Sequence, residues 1–571
     1  MAQSNVLTWL ASAGGWYDET ALGLQEYPGM GQGAVALRDL EEDTLLFSVP
    51  SPLLLSAEHS DLRTHLSSAD WKDLVDAGGW TALIMCMMWE DAQGERSRWY
   101  GYLRTLPERF DTPMFWSEDD LRWLEGTDIL SKVGKTTAEE TYNTRIVPLL
   151  QKYPEVFTPD PSATHRTIAH FSVDDFHVQG SRMLSRSFSV PKETVKPDPM
   201  GDVSMQSAGE DDHIDHGAAM EDAEAEGEDV AVAGEGEQDD EAGQSLVEDD
   251  NSDGEEELGE EDGEDDVDDD ESEAELEEEV MVPVADILNA AYDLDNAHLS
   301  FDDGRCKMIT TKRIAKGEQI YNTYGGPSNS YLLRRYGHID ALPLSPVLLK
   351  KLSPELRTWP YGNIADDIEI SGQDVLEAVV NQWKQNRNGK VTDKEDQAYR
   401  NALLERVDRW LEASGFGDTF VIEYDVDEVL DEMIAFVKLL MMESAAFEAG
   451  RAKQKIPKPK IEGDDEGKQV VSILKHVLVM QKQSMGTDAK TILSALEKHK
   501  AEPLPLNQYH AYVIKAAIYR LLYVAEKTLD ERLKTAMKAA QEKANSGGSK
   551  KRSHADSKGG SSKKPKTKAK E

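Results

Sequence analysis

The stretch NTYGGPSNSYLLRRYG, residues 322–337, carries the most structural information in this chain. Its first four residues are typical of the end of a strand, the Gly-Gly-Pro that follows breaks the strand, and the remainder predicts a short helix. Tyr324 and Tyr336 therefore stand on either side of a tight break, with Asn329 between them. Packing in a hydrophobic core is the simpler interpretation of two isolated tyrosines, so the surrounding sequence has to decide.

The charge of the chain is concentrated in two segments. Of the net charge of −47, the 38 acidic residues of 201–280, which contain no Lys or Arg, account for −38 and leave −9 elsewhere. Residues 543–571 have the opposite bias, with ten Lys or Arg against two acids. Segments so charged and so poor in apolar residues cannot bury enough surface to fold. We therefore predict a disordered acidic insertion over 196–280 and a disordered basic tail over 541–571.

Cysteine content and hydropathy narrow the class of protein. Cys86 and Cys306 are the two cysteines, too few for a disulfide framework or a structural zinc site, which needs about four ligands. A reducing, intracellular compartment and the absence of a bound metal are the simplest expectation. The start MAQSNVLTWL does not resemble a signal peptide, and the apolar run 82–89 is far short of the roughly 20 residues that span a bilayer. The sequence thus predicts no membrane association.

The periodicity of apolar residues changes along the chain. Residues 29–50, GMGQGAVALRDLEEDTLLFSVP, predict two short strands, and WTALIMCMMWEDA, residues 80–92, predicts a buried helix. VDDFHVQGSRMLSRSFSV, residues 173–190, predicts a helix that Asp174 caps. Strand-like sequence resumes after the acidic segment, with a hairpin turn at 302–304.

From residue 342 onward, apolar residues recur almost throughout at helical spacings of three and four. We therefore predict an α+β domain formed by 1–195 and 281–345, with the acidic segment inserted in it. An all-α domain over 346–540 follows.

Two short motifs could bear on ligand binding. Gly31-Gln32-Gly33 could let a ligand approach the backbone, although a hairpin that needs glycine is the more frequent reason for such a pattern. The P-loop and dinucleotide patterns are absent, so phosphate binding is not indicated. Asp286 and Asn289 stand three residues apart after an apolar strand, shortly before the stretch that contains both tyrosines.

Taken in order, six motifs resemble those of SET-domain protein methyltransferases: GMGQGAVALRDL, RWYGYLRTLP, SRMLSRSF, MVPVADILN, IAKGEQIYNTYG and NSYLLRRYG. The resemblance covers residues 20–345 and is to the branch that contains the Rubisco and fungal ribosomal lysine methyltransferases. It implies a SET β-fold with a helical insertion and knot-like C-terminal threading, an exception to the rule against knots, followed by the all-α substrate-binding domain of that branch. The threading would turn at Gly325-Gly326-Pro327.

The resemblance also implies the chemistry, which is methyl transfer from S-adenosylmethionine to a protein lysine. A free lysine has a pKa near ~10.4, and its amine must be neutral to react. Burial in a narrow channel and the positive sulfonium both favour the neutral amine. Oxygen atoms around the methyl group can make weak C–H···O contacts, and alignment can contribute roughly 7–11 kcal/mol. Neither a metal nor a carboxylate base is required.

Site residues follow from the resemblance position by position. Tyr324 would line the lysine channel and Tyr336 would pack beside the methyl group and cofactor, so both are assigned as catalytic. Cofactor contacts are assigned, besides Tyr336, to Gly31, Gln32, Gly33, Asn289 and Ala290. Substrate contacts are assigned, besides Tyr324, to Trp80, Arg186 and Asp286. For these last three residues, core packing, an ion pair or a strand-end hydrogen bond remain alternatives.

Two departures from the wider family bear on the substrate. Most members have histidine where this chain has Ala290, and the cysteine-rich zinc segment of many histone-directed enzymes is absent. We therefore expect a basic non-histone substrate, either a ribosomal protein or another nuclear protein. Transfer to histidine is one alternative, and a catalytically silent scaffold that binds basic proteins through the acidic loop is another.

The basic tail carries two clusters, Lys550-Lys551-Arg552 and Lys563-Lys564-Pro565-Lys566. They resemble a bipartite nuclear-import signal, with a nucleic-acid contact or a solubilising tail as alternatives. We expect a monomer in the nucleus, with the cytoplasm as a second location. The acidic loop would raise the encounter rate with basic proteins in a salt-dependent way, would fold back on the tail, or would have no function.

Overall fold

The computed structural model describes residues 5–78, 80–192, 277–414, 417, 419–451 and 455–552. The predicted acidic insertion as far as residue 276, and the tail beyond residue 552, lie outside the described residues. The described chain divides into two compact units. The first unit contains 5–121, 129–192 and 277–340, and the second contains 122–128 and everything from 341 onward.

Antiparallel strands form the framework of the first unit. These strands are β1 Trp16–Tyr17, β2 Leu22–Tyr27, β3 Gly31–Ala36, β4 Leu45–Pro50, β5 Ser187–Pro191, β6 Glu277–Met281, β7 Ala297–Asp302, β8 Arg305–Thr310 and β9 Gln319–Ile320. They form sheets in the orders β1-β4-β8-β7, β2-β3-β9 and β5-β6. The predicted hairpin turn between β7 and β8 is confirmed, since Asp303 and Gly304 have φ of 51° and 66°, as a type I′ turn requires.

Helices pack together with these strands in the core of the first unit. They are α1 Asn5–Ser12, α2 Leu62–His65, α3 Ser68–Asp76, α4 Thr81–Ala92, α5 Tyr100–Leu103, α6 Glu118–Leu121, α7 Ile129–Lys132, α8 Lys135–Thr141, α9 Val147–Lys152, α10 Val173–Arg186 and α11 Asn329–Tyr336. A π-turn, Tyr142–Ile146, links α8 to α9. Every residue of α4 is buried, which confirms the predicted buried helix.

The capping residue and the C-terminal end predicted for α10 were wrong. Its N-cap is Ser172, whose Oγ accepts a hydrogen bond from the Asp175 amide at 3.1 Å, and not Asp174. The helix ends at Arg186, because the next five residues form β5 and pair with β6. That partner strand begins at Glu277, so it lies far along the sequence and reaches into the range assigned to the acidic insertion. Periodicity in a local window cannot detect such a partner.

The second unit is mostly helical. Its strands are β10 Leu342–Pro343, β11 Tyr361–Gly362, β12 Ile368–Ser371 and β13 Thr419–Ile422, and its helices are α12 Pro346–Lys351, α13 Gly372–Asn386, α14 Asp393–Ser414, α15 Asp427–Met441, α16 Ser444–Arg451, α17 Asp465–Ser484, α18 Ala489–Lys498 and α19 Leu506–Arg552. The expectation of an all-α domain missed two small sheets, β10-β11 and β12-β13. These strands are only two to four residues long and pair across intervening helices or turns, so they leave little trace in the pattern.

Two further properties of the described residues concern membrane crossing and the reactivity of the cysteines. None of the helices in these ranges combines the length and the apolarity that crossing a bilayer would require. Cys86 and Cys306 are free and buried. Burial raises the pKa of each thiol to about 12, so neither forms a ready nucleophile.

Candidate active site

Residues 322–337, which contain both tyrosines, fold as a loop followed by α11. Ser328 caps the helix, because its Oγ accepts a hydrogen bond from the Tyr331 amide at 3.4 Å. Gly337 ends the helix with φ of 76°, and its amide donates to the Leu332 and Leu333 carbonyls at 3.1 Å each. A Cβ on Gly337 would lie 2.9 Å from the Asp111 carbonyl carbon, so glycine is required there. The predicted short helix is confirmed.

The two tyrosines of this segment stack on each other. The ring centroids of Tyr324 and Tyr336 are 4.3 Å apart, and the ring planes differ by 7°. Burial raises the pKa of both phenols, and the neighbouring Tyr324 raises that of Tyr336 further. Both hydroxyls therefore keep their protons at neutral pH and can donate hydrogen bonds. The structure thus brings the two residues assigned as catalytic into direct contact.

The asparagine between the tyrosines has a structural role. Asn329 is fully buried, its Oδ1 accepts from the Asp340 amide at 2.7 Å, and its Nδ2 donates to the Asp340 carbonyl at 3.2 Å. Arg335 holds the other face of the helix, since its Nε donates to the Leu184 carbonyl of α10 at 2.8 Å. These bonds fix α11, and with it Tyr336, against the rest of the unit.

A buried carboxyl, that of Asp286, influences the Tyr324 phenol electrostatically. Asp286 belongs to a 3₁₀ turn, Ala285–Ile287, and its Oδ2 accepts from the Tyr102 hydroxyl at 3.0 Å. Arg186, the last residue of α10, donates from Nη1 to the Asp286 carbonyl at 2.6 Å and to Oδ2 at 3.4 Å. Burial raises the pKa of Asp286 against the opposing effects of Arg186 and Tyr102. Arg186 and Asp286 also act electrostatically on Tyr324, with burial the larger influence on its pKa.

The backbone just before Asp286 is strained. Val284 has φ of 76° and ψ of −38°, which is a genuine outlier for a β-branched residue. Such strain costs about 1–3 kcal/mol and persists only where the surroundings impose it. Val284 is fully buried, and its carbonyl accepts from the Ile287 amide at 3.1 Å. The turn that presents Asp286 is therefore held in place by packing.

The glycine motif and the asparagine motif meet at one point. Gly31 has φ of 70° and starts β3, Gln32 is half-buried, and Gly33 is buried. A Cβ on Gly33 would lie only 2.5 Å from Asn289 Nδ2, so the Asn289 side chain packs where Gly33 has none. The three residues of the predicted cofactor turn thus lie on β3, and Gly33 among them packs against Asn289.

The segment leading to Tyr324 passes the same point. The Asn322 amide donates to the Asn289 carbonyl at 3.0 Å, and Asn322 forms a parallel bridge with Ala290. This pairing places the segment that leads to Tyr324 directly beside the asparagine motif. Three segments therefore lie together, and we call them the cluster: the loop that carries Tyr324, residues 286–289, and strand β3.

Five buried polar atoms of this cluster have no hydrogen-bond partner among the described residues: Asp286 Oδ1, Asn322 Oδ1, Arg186 Nε, Asn289 Nδ2 and Gln319 Nε2. Buried polar atoms in folded proteins are nearly always paired, so unmet ones need an explanation. The two unmet oxygens are acceptors, and acceptors suit a ligand that carries ammonium groups. S-adenosylmethionine and a substrate lysine both carry one, so the residues present fit the predicted ligands.

Three contributors to the cluster were missed, and the assignment of Trp80 stays a prediction. Trp80 is the N-cap residue of α4 and packs half-buried against the hydrophobic core. Tyr102, Gln319 and Asn322 belong to the cluster but were not assigned beforehand. Each falls within a quoted motif, but its role depends on a partner that lies elsewhere in the sequence.

Comparisons with known proteins agree on one family. A family model described as "SET domain" matches residues 31–325. Ribosomal lysine N-methyltransferase 4 of Schizosaccharomyces pombe is 31% identical over 61% of this chain and 69% of its own length. The Saccharomyces cerevisiae protein of the same name is 27% identical over 54% of this chain. The match spans about half of the length of that yeast protein, 49%. The structure of Rubisco LSMT bound to AdoMet has a TM-score of 0.54 at 16% identity, covering 93% of this chain and 92% of that one.

Proposed function

This chain belongs to the SET-domain family, and from that premise we propose that it is an S-adenosylmethionine-dependent protein-lysine N-methyltransferase. The family and the α+β SET fold predicted from the sequence are confirmed. The observation that carries the proposal is the stacked pair Tyr324 and Tyr336, on whose Tyr324 phenol Arg186 and Asp286 act electrostatically. The names of relatives support it, since they include ribosomal lysine N-methyltransferase 4 and human N-lysine methyltransferase SETD6.

The residues of the cluster divide the work of methyl transfer. When bound, S-adenosylmethionine supplies a methyl group on a positively charged sulfur. The Tyr324 hydroxyl, which keeps its proton, holds the lysine nitrogen in line, and Tyr336 packs beside the methyl group. The buried surroundings and the positive charge of Arg186 favour the neutral amine. Asn289 and the Gly31–Gly33 strand contact the cofactor.

We further propose that the substrate is a basic protein, and a ribosomal protein in particular. The support is the name shared by the two yeast relatives and the concentration of 38 acidic residues in 201–280. Strands β5 and β6 flank that segment and pair with each other directly after Arg186. The segment therefore leaves and rejoins the fold near the cluster, where its charge would attract a basic partner in a salt-dependent way. Nuclear import, a monomeric state and a tail contact with nucleic acid stay predictions.

The test is transfer of radiolabelled methyl groups from S-adenosylmethionine into a ribosomal-protein fraction, followed by hydrolysis and amino-acid analysis. Label in methyl-lysine supports the proposal, and label in methyl-histidine supports the alternative acceptor. Cofactor binding without transfer to any basic protein would instead leave the silent scaffold.

Removing either hydroxyl of the tyrosine pair tests the catalytic assignment. For Tyr324→Phe and Tyr336→Phe we expect kcat to fall by about 10²–10³-fold for at least one variant, because alignment of the amine is lost. The matched control is Tyr399→Phe in the second unit, whose ring stacks on Trp383 at the same 4.3 Å separation. Unchanged kcat in both site variants would contradict the assignment.

A further inference from the structure

Two carboxamides meet at Gly33 with like atoms facing the same point. Asn289 Nδ2 and Gln319 Nε2 lie 2.5 and 2.8 Å from the position that a Cβ on Gly33 would occupy. Both nitrogens are buried, and neither has a hydrogen-bond partner in the described part of the chain. Each is a donor, so neither can satisfy the other as they stand.

The backbone of Gln319 is fixed, and its carboxamide is not. Gln319 pairs with Val35 in the β3-β9 ladder, and its carbonyl accepts from Asn296 Nδ2 at 3.0 Å. A half-turn about the last side-chain bond exchanges Nε2 and Oε1 within the same volume. Oε1 would then lie close to Gly33 together with Asn289 Nδ2, and a hydrogen bond between the two would pair both buried groups.

The alternative, a half-turn of Asn289, is disfavoured by the ligand. Asn289 is half-buried, and its Nδ2 is the side-chain atom that is both buried and unpaired. Keeping that nitrogen towards Gly33 leaves Oδ1 on the open side as a hydrogen-bond acceptor. An acceptor there suits the ammonium group of a cationic cofactor, whereas a second amide nitrogen would repel it.

We propose that Gln319 is a positioning residue that accepts a hydrogen bond from Asn289 Nδ2 and so directs Asn289 Oδ1 to the ammonium group of S-adenosylmethionine. The inference rests on the proposed function. It also gives Gly33 a reason, since the paired carboxamides pack against its Cα and leave no room for a side chain. Gln319, which is 9% exposed, acts through Asn289 and does not itself touch the cofactor.

The experiment is calorimetric titration of the full chain with two ligands. S-adenosylhomocysteine retains the amino-acid end, and 5′-methylthioadenosine lacks it. For Gln319→Leu we expect the Kd of S-adenosylhomocysteine to rise by about tenfold and that of methylthioadenosine to change by less than about twofold. For Gln319→Glu, whose carboxylate still accepts from Asn289, we expect both values within about threefold of wild type. Thermal unfolding without ligand establishes that each variant is folded.

The outcomes distinguish a failure of the positioning role of Gln319 from a failure of the proposed function. A folded wild-type chain that binds neither ligand removes the proposed function. Wild-type affinity in Gln319→Leu, or an equal loss for both ligands, overturns the positioning role while the proposed function stands. Loss of S-adenosylhomocysteine binding in Gln319→Glu as large as in Gln319→Leu also overturns it, because an acceptor at that position would then not help.

Discussion

Helix α10 carries two arginines one turn apart, and each pairs with an aspartate from a distant segment. Arg182 is buried, donates from Nη1 to Asp91 Oδ2 at 3.1 Å, and donates from Nε to the Pro107 carbonyl at 2.9 Å. Arg186 pairs with Asp286, but 27% of its side chain is exposed and its Nε has no partner. The Arg182–Asp91 pair is thus fully hydrogen-bonded, and we call it the saturated pair. The Arg186–Asp286 pair leaves Arg186 Nε and Asp286 Oδ1 without partners among the described residues, and we call it the unsaturated pair.

The two aspartates differ in the same way. Both oxygens of Asp91 are bonded, to His165 Nε2 at 2.6 Å and to Arg166 Nη1 and Gln179 Nε2 at 2.9 Å each. Burial alone would raise the pKa of Asp91, but these partners outweigh it and hold the pKa below its ordinary value. The pKa of Asp286 is raised. We infer that the saturated pair maintains the fold, and that the unsaturated pair is kept for a ligand.

The largest effect is expected for the saturated pair. Asp91→Asn leaves Arg166 and Arg182 buried with less counter-charge, so we expect a loss of about 3–5 kcal/mol in the free energy of unfolding. The kcat per folded molecule should stay unchanged, because Asp91 does not contact the cluster. Urea unfolding and methyl transfer, normalised to cofactor-binding capacity, check the two statements. A loss below about 1 kcal/mol would contradict the inference that the Arg182–Asp91 pair maintains the fold.

The unsaturated pair should behave in the opposite way. For Asp286→Asn we expect kcat/KM to fall by about 10²-fold, because Arg186 loses its ionic partner and the turn beside Tyr324 shifts. The free energy of unfolding should change by less than about 1 kcal/mol, since burial already disfavours the charged carboxylate. The same two assays apply. Wild-type transfer by a folded Asp286→Asn enzyme would show that this carboxyl is structural after all.

The two carboxyls should also respond to acid with opposite signs. The folded pKa of Asp91 lies below 3.8, so its stabilising contribution is full above that pH and is lost as the pH falls below it. The folded pKa of Asp286 lies above 3.8, so its contribution favours the folded state in acid and is lost as the pH rises through that pKa.

Urea unfolding from about pH 6 to about pH 3 measures both contributions as differences between wild type and each Asn variant. The difference for Asp91→Asn should shrink on acidification, and the difference for Asp286→Asn should shift in favour of wild type. Parallel curves for the two variants would contradict the assigned pKa directions.

The smallest effect is expected for Tyr102→Phe. The change removes the one hydrogen bond that Tyr102 donates to Asp286 Oδ2 at 3.0 Å and keeps the buried ring. We expect a change of about 1 kcal/mol in unfolding and a fall in kcat of less than about tenfold, since Arg186 still holds the turn. A loss of transfer as large as that of Asp286→Asn would place Tyr102 in the catalytic step itself.

Whether an element of the fold could be predicted depended on how far apart in the sequence its interacting residues lie. Helix α4 and the turn at Asp303-Gly304 follow from local pattern, and the structure contains both. Strand β5 could not be predicted, because its apolar pattern gains meaning only from β6, which lies beyond the acidic segment. The small sheets of the second unit escaped for the same reason.

The candidate site shows the same division. Ordered motifs named Tyr324, Tyr336 and Asn289, and these now lie in one cluster. Motifs did not name Tyr102 or Gln319, since the partners that give them a role are far away in sequence or belong to a different strand. Such roles come from tertiary contacts, which a single sequence does not contain.

The most direct test of the account is calorimetric titration of S-adenosylmethionine into the wild-type chain and into Asn289→Ala. The control is Asn401→Ala, an exposed asparagine on α14 in the second unit. We expect saturable binding by wild type and by the control, and at least about tenfold weaker binding by Asn289→Ala. Absence of saturable binding by a folded wild-type chain, or equal binding by all three proteins, would contradict the cofactor site.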